Sequence, residues 1–324
     1  MRSTILELLR NTAGKYISGE EIAKKLQVSR TAVWKHIREL KQAGYAIESH
    51  SRKGYALLDA PDLLLPNEII NNLKSKLLGQ QIEYKEVVGS TNNEAKILAA
   101  NGVKDGTIVV SEMQKNGRGR ISRGWFSPYG KGIWCSVILK PNFLPQDAPK
   151  CTLMAAVAVT KAIYNTTNVK VGIKWPNDIL YNGKKLVGIL TEMNAEMDRI
   201  NYIVIGMGIN VNLDEKDFPD ELQEIATSLS TIKEEKISRV KLLCEILKQL
   251  EKLYQEAMEK GFTEILTEWK KYSITLEQHV NVIGMNHTFD GIAVDIDKDG
   301  ALLVKTDKEI KTVLAGDVSI RPKL

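Results

Sequence analysis

The first sixty residues carry apolar positions at helical spacing, separated by turn signals. These positions predict a first helix over residues 4–12. Ser18 and Glu21 form a capping-box pair that predicts the start of a second, short helix. Ser29 can cap a third helix, which Gly44 ends. The pattern therefore predicts three helices in close succession.

A basic hairpin follows these helices. Two short strand-like runs, residues 45–48 and 55–58, flank a turn at residues 51–54. Three helices and a hairpin are typical of a winged helix-turn-helix, whose third helix enters the major groove while the hairpin contacts phosphates. Such helix triads also occur as packing units without a DNA-binding role. The residues we expect to contact DNA are Ser29, Arg30, Thr31, Lys35, Arg38, Arg52 and Lys53.

The remaining pattern predicts two further domains after a winged helix-turn-helix domain at residues 1–60 and a linker at 61–66. Residues 67–272 mix helical and strand-like segments, and residues 273–324 are short strands separated by turn residues. The predicted fold class is multidomain α+β, ending in a small β-barrel that is SH3-like in size. The runs that predict strands are residues 107–111, 133–139, 202–205, 280–283, 291–296, 301–305 and 311–314.

The distribution of charge supports the DNA-binding interpretation. Residues 1–60 contain 11 Lys or Arg against 6 Asp or Glu, so this segment accounts for the whole net charge of +5. A local basic excess is the electrostatic pattern of a nucleic-acid binder, because phosphate contacts dominate affinity. A merely solvated basic surface is the alternative.

Apolar runs and cysteine usage bear on the compartment. The longest nearly uninterrupted apolar run, Cys151 to Val159, is far shorter than the ~20 residues of a bilayer span, and no signal-peptide pattern precedes it. We therefore expect a cytoplasmic protein without a membrane partner. The three cysteines are widely spaced and the four histidines do not cluster, so we expect neither a disulfide framework nor a protein metal site.

The most informative motif lies between residues 114 and 125 and contains Gly117-Arg118-Gly119-Arg120. Glycines let the backbone approach a ligand closely, and arginines supply planar donors that match carboxylate and phosphate. The motif therefore predicts an anionic ligand. A flexible basic loop is the alternative.

A second motif, Ser90-Thr91-Asn92, follows a strand-like run. Thr91 and Glu94 have the spacing of a capping box, which predicts a helix start, and helix starts bind anions and polar groups. Read alone, such a motif is more often only a cap.

A third motif, Lys-Trp-Pro-Asn-Asp at residues 174–178, is followed by the turn pair Asn182-Gly183. Together they predict a strand, a turn and a return strand, which would bring Asp178 and Lys185 to one end of a hairpin. The two side chains would then form either a site for an anionic ligand or a surface salt bridge.

A fourth region, Gly206-Met-Gly208-Ile-Asn210, follows an apolar strand. Val211 stands where a dinucleotide-binding fingerprint has its third glycine, and the chain has no P-loop sequence. Any ATP site must therefore be of another kind.

Taken together, these motifs and the Lys185-Leu-Val-Gly188 segment resemble the ordered signature of biotin-protein ligases over nearly the whole chain. The leading winged helix makes the chain similar to the bifunctional type that also represses the biotin operon. Ser122 departs from the pattern, since many members have glycine there. The resemblance implies a central sheet like that of class II aminoacyl-tRNA synthetases and an SH3-like C-terminal barrel.

The resemblance also implies a two-step reaction that uses biotin, ATP and Mg²⁺. Biotinyl-5'-AMP forms first, and a lysine of an acceptor protein then takes the biotinyl group. The implied catalytic residues are Lys185, Arg120 and Asp178. The implied biotin contacts are Ser90, Thr91, Asn92, Gln114, Gly117, Arg118, Gly119, Arg120, Lys185 and Gly188. The implied nucleotide contacts are Arg118, Arg120, Lys185 and Asn210.

The implied partners are the biotin carboxyl carrier domain of a biotin-dependent carboxylase, operator DNA, and a second copy of the chain once biotinyl-5'-AMP is bound. Two other functions remain open at this point. A lipoate or octanoate ligase shares the adenylate chemistry, and a biotin-sensing transcription factor would lack catalysis. The arginine motif favours biotin over the first, and the retained charged residues favour an enzyme over the second.

Overall fold

The structure is a computed structural model that describes residues 1–12, 14–42, 44–120, 124–284, 288–315 and 319–322. The chain divides into two compact units, Met1–Asn71 and Asn72–Leu324, and each is considered by itself.

The N-terminal unit contains the predicted helices and hairpin, followed by a further short helix. Its elements are α1 (Arg2–Asn11), α2 (Gly19–Leu26), α3 (Arg30–Gln42), β1 (Ala46–His50), β2 (Gly54–Asp59) and α4 (Pro66–Asn72). The Oγ atoms of Ser18 and Ser29 accept backbone N–H groups three residues later, at 3.0 and 3.1 Å, so both predicted N-caps are confirmed. β1 and β2 pair antiparallel. The predicted helix-turn-helix and hairpin are therefore both present.

Helix α3 shows why the core forms on one side of the unit. Val33, Ile37 and Leu40 recur at helical spacing and are buried in the core. Lys35 and Arg38 point away from that face and are exposed. The spacing of the apolar residues thus places the cationic face of α3 on the surface, away from the core.

The N-terminal unit continues beyond the predicted linker. Glu68 on α4 is buried and accepts hydrogen bonds from the Tyr45 hydroxyl and from Arg10. Burial, together with the hydrogen bond to Glu68, raises the pKa of Tyr45 well above its usual range. These contacts hold α4 within the unit, whereas the domain boundaries at residues 60 and 67 stay predictions.

The second unit is built on a seven-stranded mixed sheet in the order β3-β4-β5-β9-β8-β7-β6. Only β3 and β4 are parallel, and the other neighbours are antiparallel. The strands are β3 (Ile82–Val88), β4 (Ile108–Gln114), β5 (Gly132–Leu139), β6 (Gly172–Lys174), β7 (Asp178–Tyr181), β8 (Lys184–Ala195) and β9 (Ile200–Asn210). β5 is an interior strand between β4 and β9 and is buried along its whole length, which explains its mostly apolar sequence.

Helices cover this sheet. They are α5 (Thr91–Ala100), α6 (Ala148–Thr167), α7 (Asp220–Gln223), α8 (Leu229–Lys233), α9 (Arg239–Lys260) and α10 (Thr263–Tyr272), with 3₁₀ turns at Pro145–Asp147 and Glu215–Asp217. α6 is buried over most of its length because it packs both against the sheet and against α9. None of the helices within the described ranges is both long and apolar enough to cross a membrane.

The last part of the chain forms a five-stranded antiparallel sheet in the order β13-β12-β11-β10-β14. Its strands are β10 (His279–Ile283), β11 (Thr288–Ile296), β12 (Leu302–Lys305), β13 (Ile310–Val313) and β14 (Ser319–Pro322). The four predicted strands are confirmed, and β14 was not predicted. Closure of the sheet into a barrel stays a prediction.

Candidate functional site

Two glycines of the sheet form a floor under an indole ring. Gly188 on β8 and Gly208 on β9 are register partners. A Cβ atom would lie 2.6 Å from the Trp125 ring at position 188 and 2.3 Å from it at position 208. Both positions therefore require glycine while Trp125 lies there. Gly188, one of the implied biotin contacts, is covered by Trp125 in this structure.

Asn92 lies on the same face of the sheet. Gly206 is two residues before Gly208, so their Cβ directions share one face. A Cβ at Gly206 would lie 2.0 Å from Asn92 Oδ1. The start of α5, the tryptophan after the arginine motif and the glycines of β8 and β9 thus meet on one surface, which we call the glycine face and define by Gly188, Gly206 and Gly208.

The β7–β8 hairpin brings Lys185 and Asp178 together at one end of this face. The turn residues Asn182 and Gly183 have φ values of 47° and 81°, the left-handed conformation that a two-residue hairpin turn requires. Lys185 Nζ lies 2.8 Å from Asp178 Oδ1 and 5.1 Å from the centre of the Trp125 ring. Lys185 is therefore held between a carboxylate and an aromatic face, and its ammonium remains partly exposed.

Arg120 reaches the segment that precedes Asp178. Its guanidinium donates to Asn177 Oδ1 at 3.0 Å and to the Ala315 carbonyl oxygen at 2.9 Å. Asn177 in turn donates to the Ile189 carbonyl at 2.9 Å. Arg120 therefore connects the arginine motif with the 174–178 motif. Ser122, the departure from the family pattern, lies outside the described residues.

Arg118 points to a different set of acceptors. Its Nη1 donates to Asn93 Oδ1 at 3.1 Å and lies 3.7 Å from Glu192 Oε1. Arg118, Arg120 and Lys185 are thus each engaged by their own protein acceptors, and convergence of the three cationic groups on one ligand stays a prediction.

The arginine motif closes on itself through Gly117. The backbone N–H of Trp125 donates to the Gly117 carbonyl oxygen at 2.9 Å. A Cβ at position 117 would lie 2.3 Å from the Trp125 carbonyl oxygen. Gly117 is therefore required by the closeness of the two loop arms. Gly119 lies between the two arginines and is partly buried.

A hydrogen-bond network joins the start of α5 to the end of β4. Gln114 Oε1 accepts from the N–H and the hydroxyl of Thr91, at 2.9 and 3.1 Å, and Gln114 Nε2 donates to Ser127 Oγ at 2.9 Å. Ser136 Oγ contacts Thr91 Oγ1 at 2.8 Å. Gln114 and Thr91 are both predicted site residues, whereas Ser127 and Ser136 belong to no motif that the sequence suggested.

The predicted capping box at Thr91 and Glu94 is wrong, although a helix does begin there. Ser90 is the N-cap residue and makes no side-chain capping hydrogen bond. Thr91 is the first helical residue, and its hydroxyl is engaged by Gln114 and Ser136 instead. Hydrogen bonds with Gln114 and Ser136, which are distant in sequence, thus replace the capping bond to the local backbone.

Asn210 lies at the end of β9 and is buried. Its Nδ2 donates to the Thr227 carbonyl at 3.1 Å, so the side chain holds the segment before α8 against the sheet. Lys185 also pairs with that segment, through hydrogen bonds of 2.7 and 3.0 Å with Ile225 and Thr227. Asn210 thus supports the wall beside Lys185, and its contact with a nucleotide stays a prediction.

Glu192 is a site residue that sequence reasoning missed. It lies four residues beyond Gly188 on β8 and accepts hydrogen bonds from Asn92 at 2.9 Å and Lys96 at 2.8 Å. Burial acts to raise the pKa of Glu192, but these hydrogen bonds outweigh it and hold the pKa below its usual range. The sequence signal was an acidic residue just beyond the end of the apolar run 186–190 of β8.

The predicted DNA contacts lie on the exposed side of the N-terminal unit. Arg38 lies over the Trp34 ring at 5.7 Å, and Lys53 at the hairpin tip lies over the Tyr16 ring at 5.5 Å. Ser29 is engaged as the N-cap of α3. Arg30, Thr31, Lys35, Arg38, Arg52 and Lys53 are all exposed.

A cavity of about 710 Å³ lies elsewhere in the second unit, between the end of α6, the β7–β8 turn and the end of α10. Its lining includes Tyr164, Lys170, Tyr181 and Tyr272. None of the predicted ligand contacts lines it. Across the described ranges, no group of three or more His, Cys, Asp or Glu side chains is arranged to hold a metal ion.

Comparisons with known proteins match all parts of the chain. Residues 84–210 match the model of the biotin/lipoate A/B protein ligase family, residues 2–56 an HTH domain, and residues 275–321 the biotin protein ligase C-terminal domain. The chain is 46% identical to the bifunctional ligase/repressor BirA of Bacillus spizizenii, over 99% of this chain and 98% of that protein. It is 30% identical to the protein of that name from Escherichia coli, over 98% and 96%.

A solved structure is also similar. The biotin protein ligase of Aquifex aeolicus, in complex with biotin and ATP, superposes with a TM-score of 0.67 at 28% identity. The match covers 75% of this chain and 100% of that one.

Proposed function

This chain belongs to the biotin/lipoate A/B protein ligase family, within its bifunctional ligase/repressor group, and we propose how it performs both activities. It joins biotin to a lysine of an acceptor protein in two steps, of which the first consumes ATP, and its N-terminal unit represses transcription. The observation that carries the ligase proposal is the glycine face, on which residues of separate motifs meet.

The first step joins two anions, so its main physical demand is charge neutralisation. A biotin carboxylate oxygen attacks the α-phosphorus of ATP, the bond to the β-phosphate oxygen breaks, and biotinyl-5'-AMP and pyrophosphate form. Arg118, Arg120 and Lys185 donate to the anionic oxygens and stabilise the charge that develops at the α-phosphate. Each donor leaves a protein acceptor, such as Asp178 for Lys185, when the substrates bind.

Mg²⁺ enters with ATP as part of the nucleotide substrate in this proposal. Magnesium sites of this kind use substrate phosphates, water and only one or two carboxylates. Asp178, which is partly exposed beside Lys185, is the carboxylate of the glycine face suited to such a role. The ion supplies additional neutralisation of the phosphate oxygens.

The second step transfers the biotinyl group. The acceptor lysine amine attacks the carbonyl carbon of the mixed anhydride, AMP leaves, and the amine loses a proton. A lysine amine is mostly protonated at neutral pH, so a nearby carboxylate that orients or deprotonates it accelerates attack. Asp178 takes this role. The acceptor is a biotin carboxyl carrier domain of a biotin-dependent carboxylase.

Biotin itself lies on the glycine face in this proposal. Gly188 and Gly208 give the ligand room once Trp125 moves aside, and Ser90, Thr91, Asn92 and Gln114 contact it. The contact of Asn92 with Gly206 and the hydrogen bond from Thr91 to Gln114 support this placement. The loop that carries Trp125 then covers the reactive anhydride and excludes water.

Repression follows from the N-terminal unit. The exposed cationic face of α3 enters the major groove of operator DNA, and the hairpin tip contacts phosphates. Bound biotinyl-5'-AMP promotes a homodimer, whose paired units bind a two-part operator. Gel shifts with and without biotinyl-5'-AMP test this coupling, and an operator affinity that ignores the ligand contradicts it. ATP, carboxylases and operator DNA share the cytoplasm, where we place the protein.

A pyrophosphate-exchange assay with biotin, lipoate and octanoate tests the ligase function. We expect exchange that depends on biotin. Exchange that prefers lipoate or octanoate would identify an acyl ligase instead. A protein that binds biotin without any exchange would be a sensor without catalysis.

A further inference from the structure

One carboxylate on the glycine face serves three side chains at once. Glu192 Oε2 accepts from Asn92 Nδ2 at 2.9 Å, and Glu192 Oε1 accepts from Lys96 Nζ at 2.8 Å. The same Oε1 lies 3.7 Å from Arg118 Nη1. The Glu192 side chain is 25% exposed, so solvent and salt screen these contacts less than they screen a surface pair.

Glu192 fixes the orientation of the Asn92 amide. The two hydrogens of Asn92 Nδ2 are donated to Glu192 and to the Leu190 carbonyl, and Asn92 Oδ1 accepts from Ser136 at 2.6 Å. A carboxylate can only accept hydrogen bonds, so it forces the NH₂ end of the amide toward β8. Asn92 therefore acts as a fixed part of the face.

Two cations, Lys96 and Arg118, lie beside the single negative charge of Glu192. Because its pKa lies below the usual range, Glu192 is ionised at neutral pH. Lys96 makes the shorter contact, from a helix, and is 32% exposed. Arg118 makes the longer contact, from the arginine motif, and is 49% exposed. Arg118 is thus the cation that can leave at the lower cost.

We propose that Glu192 and Lys96 are positioning residues for Arg118. Glu192 gives Arg118 a resting place in the ligand-free protein, and Lys96 neutralises Glu192 after Arg118 has moved to the anionic ligand. Without Lys96, that movement would leave a partly buried carboxylate unpaired, which is costly. The inference rests on the proposed function, which supplies the biotin carboxylate and the α-phosphate as anions.

The first test is kinetic and uses three variants. In Lys96→Met, Arg118 is the remaining cation on Glu192, and we expect the KM for biotin in pyrophosphate exchange to rise about fivefold, the effect of one partly exposed ion pair. In Glu192→Gln no carboxylate competes with the ligand for Arg118, so we expect the KM for biotin to fall below that of the unchanged protein, while the amide oxygen still accepts from Asn92. Glu192→Gln added to Lys96→Met should restore the KM, because no carboxylate remains to hold Arg118.

A merely structural role predicts the opposite order. Glu192→Gln would then impair the enzyme most, and the double variant would be no better than Lys96→Met; either result overturns the proposal. Lys85→Met is the matched control, since Lys85 forms a 3.0 Å pair with Glu83 that does not involve Arg118.

The second test needs no ligand. Trypsin cleaves after Arg118 only when that side chain is free to enter the protease, so the cleavage rate reports on its resting contact. Mass spectrometry of limited digests should show slower cleavage at Arg118 in Lys96→Met and faster cleavage in Glu192→Gln. Equal rates in all variants would overturn the resting contact. If this pattern holds but the unchanged protein lacks biotin-dependent exchange, the proposed function fails while the contact stands.

Discussion

The indole nitrogen of Trp125 lies directly over Gly208, where a Cβ would be 2.3 Å away. Any residue larger than glycine at position 208 would collide with the ring. The ring comes from the loop that follows the arginine motif, and the glycine comes from the middle of the sheet. Their contact therefore reports whether the Trp125 ring lies on the glycine face.

Gly208→Ala should expel Trp125 from the face. A methyl group at this position overpacks the contact, which costs about 1–3 kcal/mol, so the Trp125 ring leaves the face rather than the sheet moving. We expect the tryptophan emission of the ligand-free protein to shift to longer wavelength. Gly89→Ala is the control, because a Cβ there meets nothing within 4 Å. Identical spectra for the two variants would show that Trp125 does not depend on Gly208.

Lys185→Ala should slow adenylation by on the order of 10²-fold, as for the loss of one preorganised charge donor. Pyrophosphate exchange at saturating biotin and ATP measures the rate. The neighbouring Lys184 donates to the Gln223 carbonyl at 3.1 Å, so Lys184→Ala is a control that removes the same charge from the next position. If both variants retained the full rate, Lys185 would have no part in the chemistry.

Lys35→Ala should weaken operator binding without changing adenylation. Loss of one phosphate contact reduces the slope of log affinity against log salt by about 1. Fluorescence anisotropy with operator DNA at several salt concentrations measures the slope. Lys308→Ala, an exposed lysine of the second unit, removes the same net charge and should leave the slope unchanged. A slope that Lys35→Ala does not alter would remove this residue from the interface.

Arg239→Met should destabilise the second unit strongly. Arg239 and Glu112 form a fully buried ion pair of 2.8 Å, and loss of one partner of such a pair costs about 3–5 kcal/mol. Urea unfolding measures the loss. Lys241→Met, at an exposed position two residues further along α9, should have almost no effect. Equal stability of the two variants would mean that Glu112 finds another partner.

Glu192 should contribute stability that depends on pH. Burial raises the pKa of Glu192, but hydrogen bonds from Lys96 and Asn92 lower it by a larger amount. The pKa in the folded protein therefore lies below the value of about 4.3 in an unfolded chain. The contribution is therefore complete above about pH 4.3 and is lost as the pH falls through the folded pKa. The difference in unfolding free energy between the unchanged protein and Glu192→Gln should therefore become smaller as the pH falls below about 4.3. A gap that stays constant down to pH 3 would contradict this prediction.

Local features of this chain were predictable from the sequence. Ser18 and Ser29 cap their helices as expected, because an N-cap needs only a short side chain and the backbone three residues later. The Asn182-Gly183 turn aligned the strands that carry Asp178 and Lys185, because a two-residue turn determines its own register. The strands of residues 280–283 and 311–314 followed from alternation.

Partners far apart in the chain were not predictable in this way. β14 pairs with β10 although its residues give no strand pattern, and Glu192 meets Asn92 from a position 100 residues away. At Thr91, the local capping pattern predicted a role that Gln114 and Ser136 displaced.

The amino-acid sequence by itself determined most of the elements, their order, the motifs and therefore the family. The tertiary structure alone decided that Trp125 covers Gly188 and Gly208, that Glu112 receives Arg239 from 127 residues away, and that Glu192 lies beside Arg118. Periodicity, caps and turns act over a few residues and can be read in order. The choice between distant partners depends on which surfaces the packed sheet brings into contact, and no local pattern encodes it.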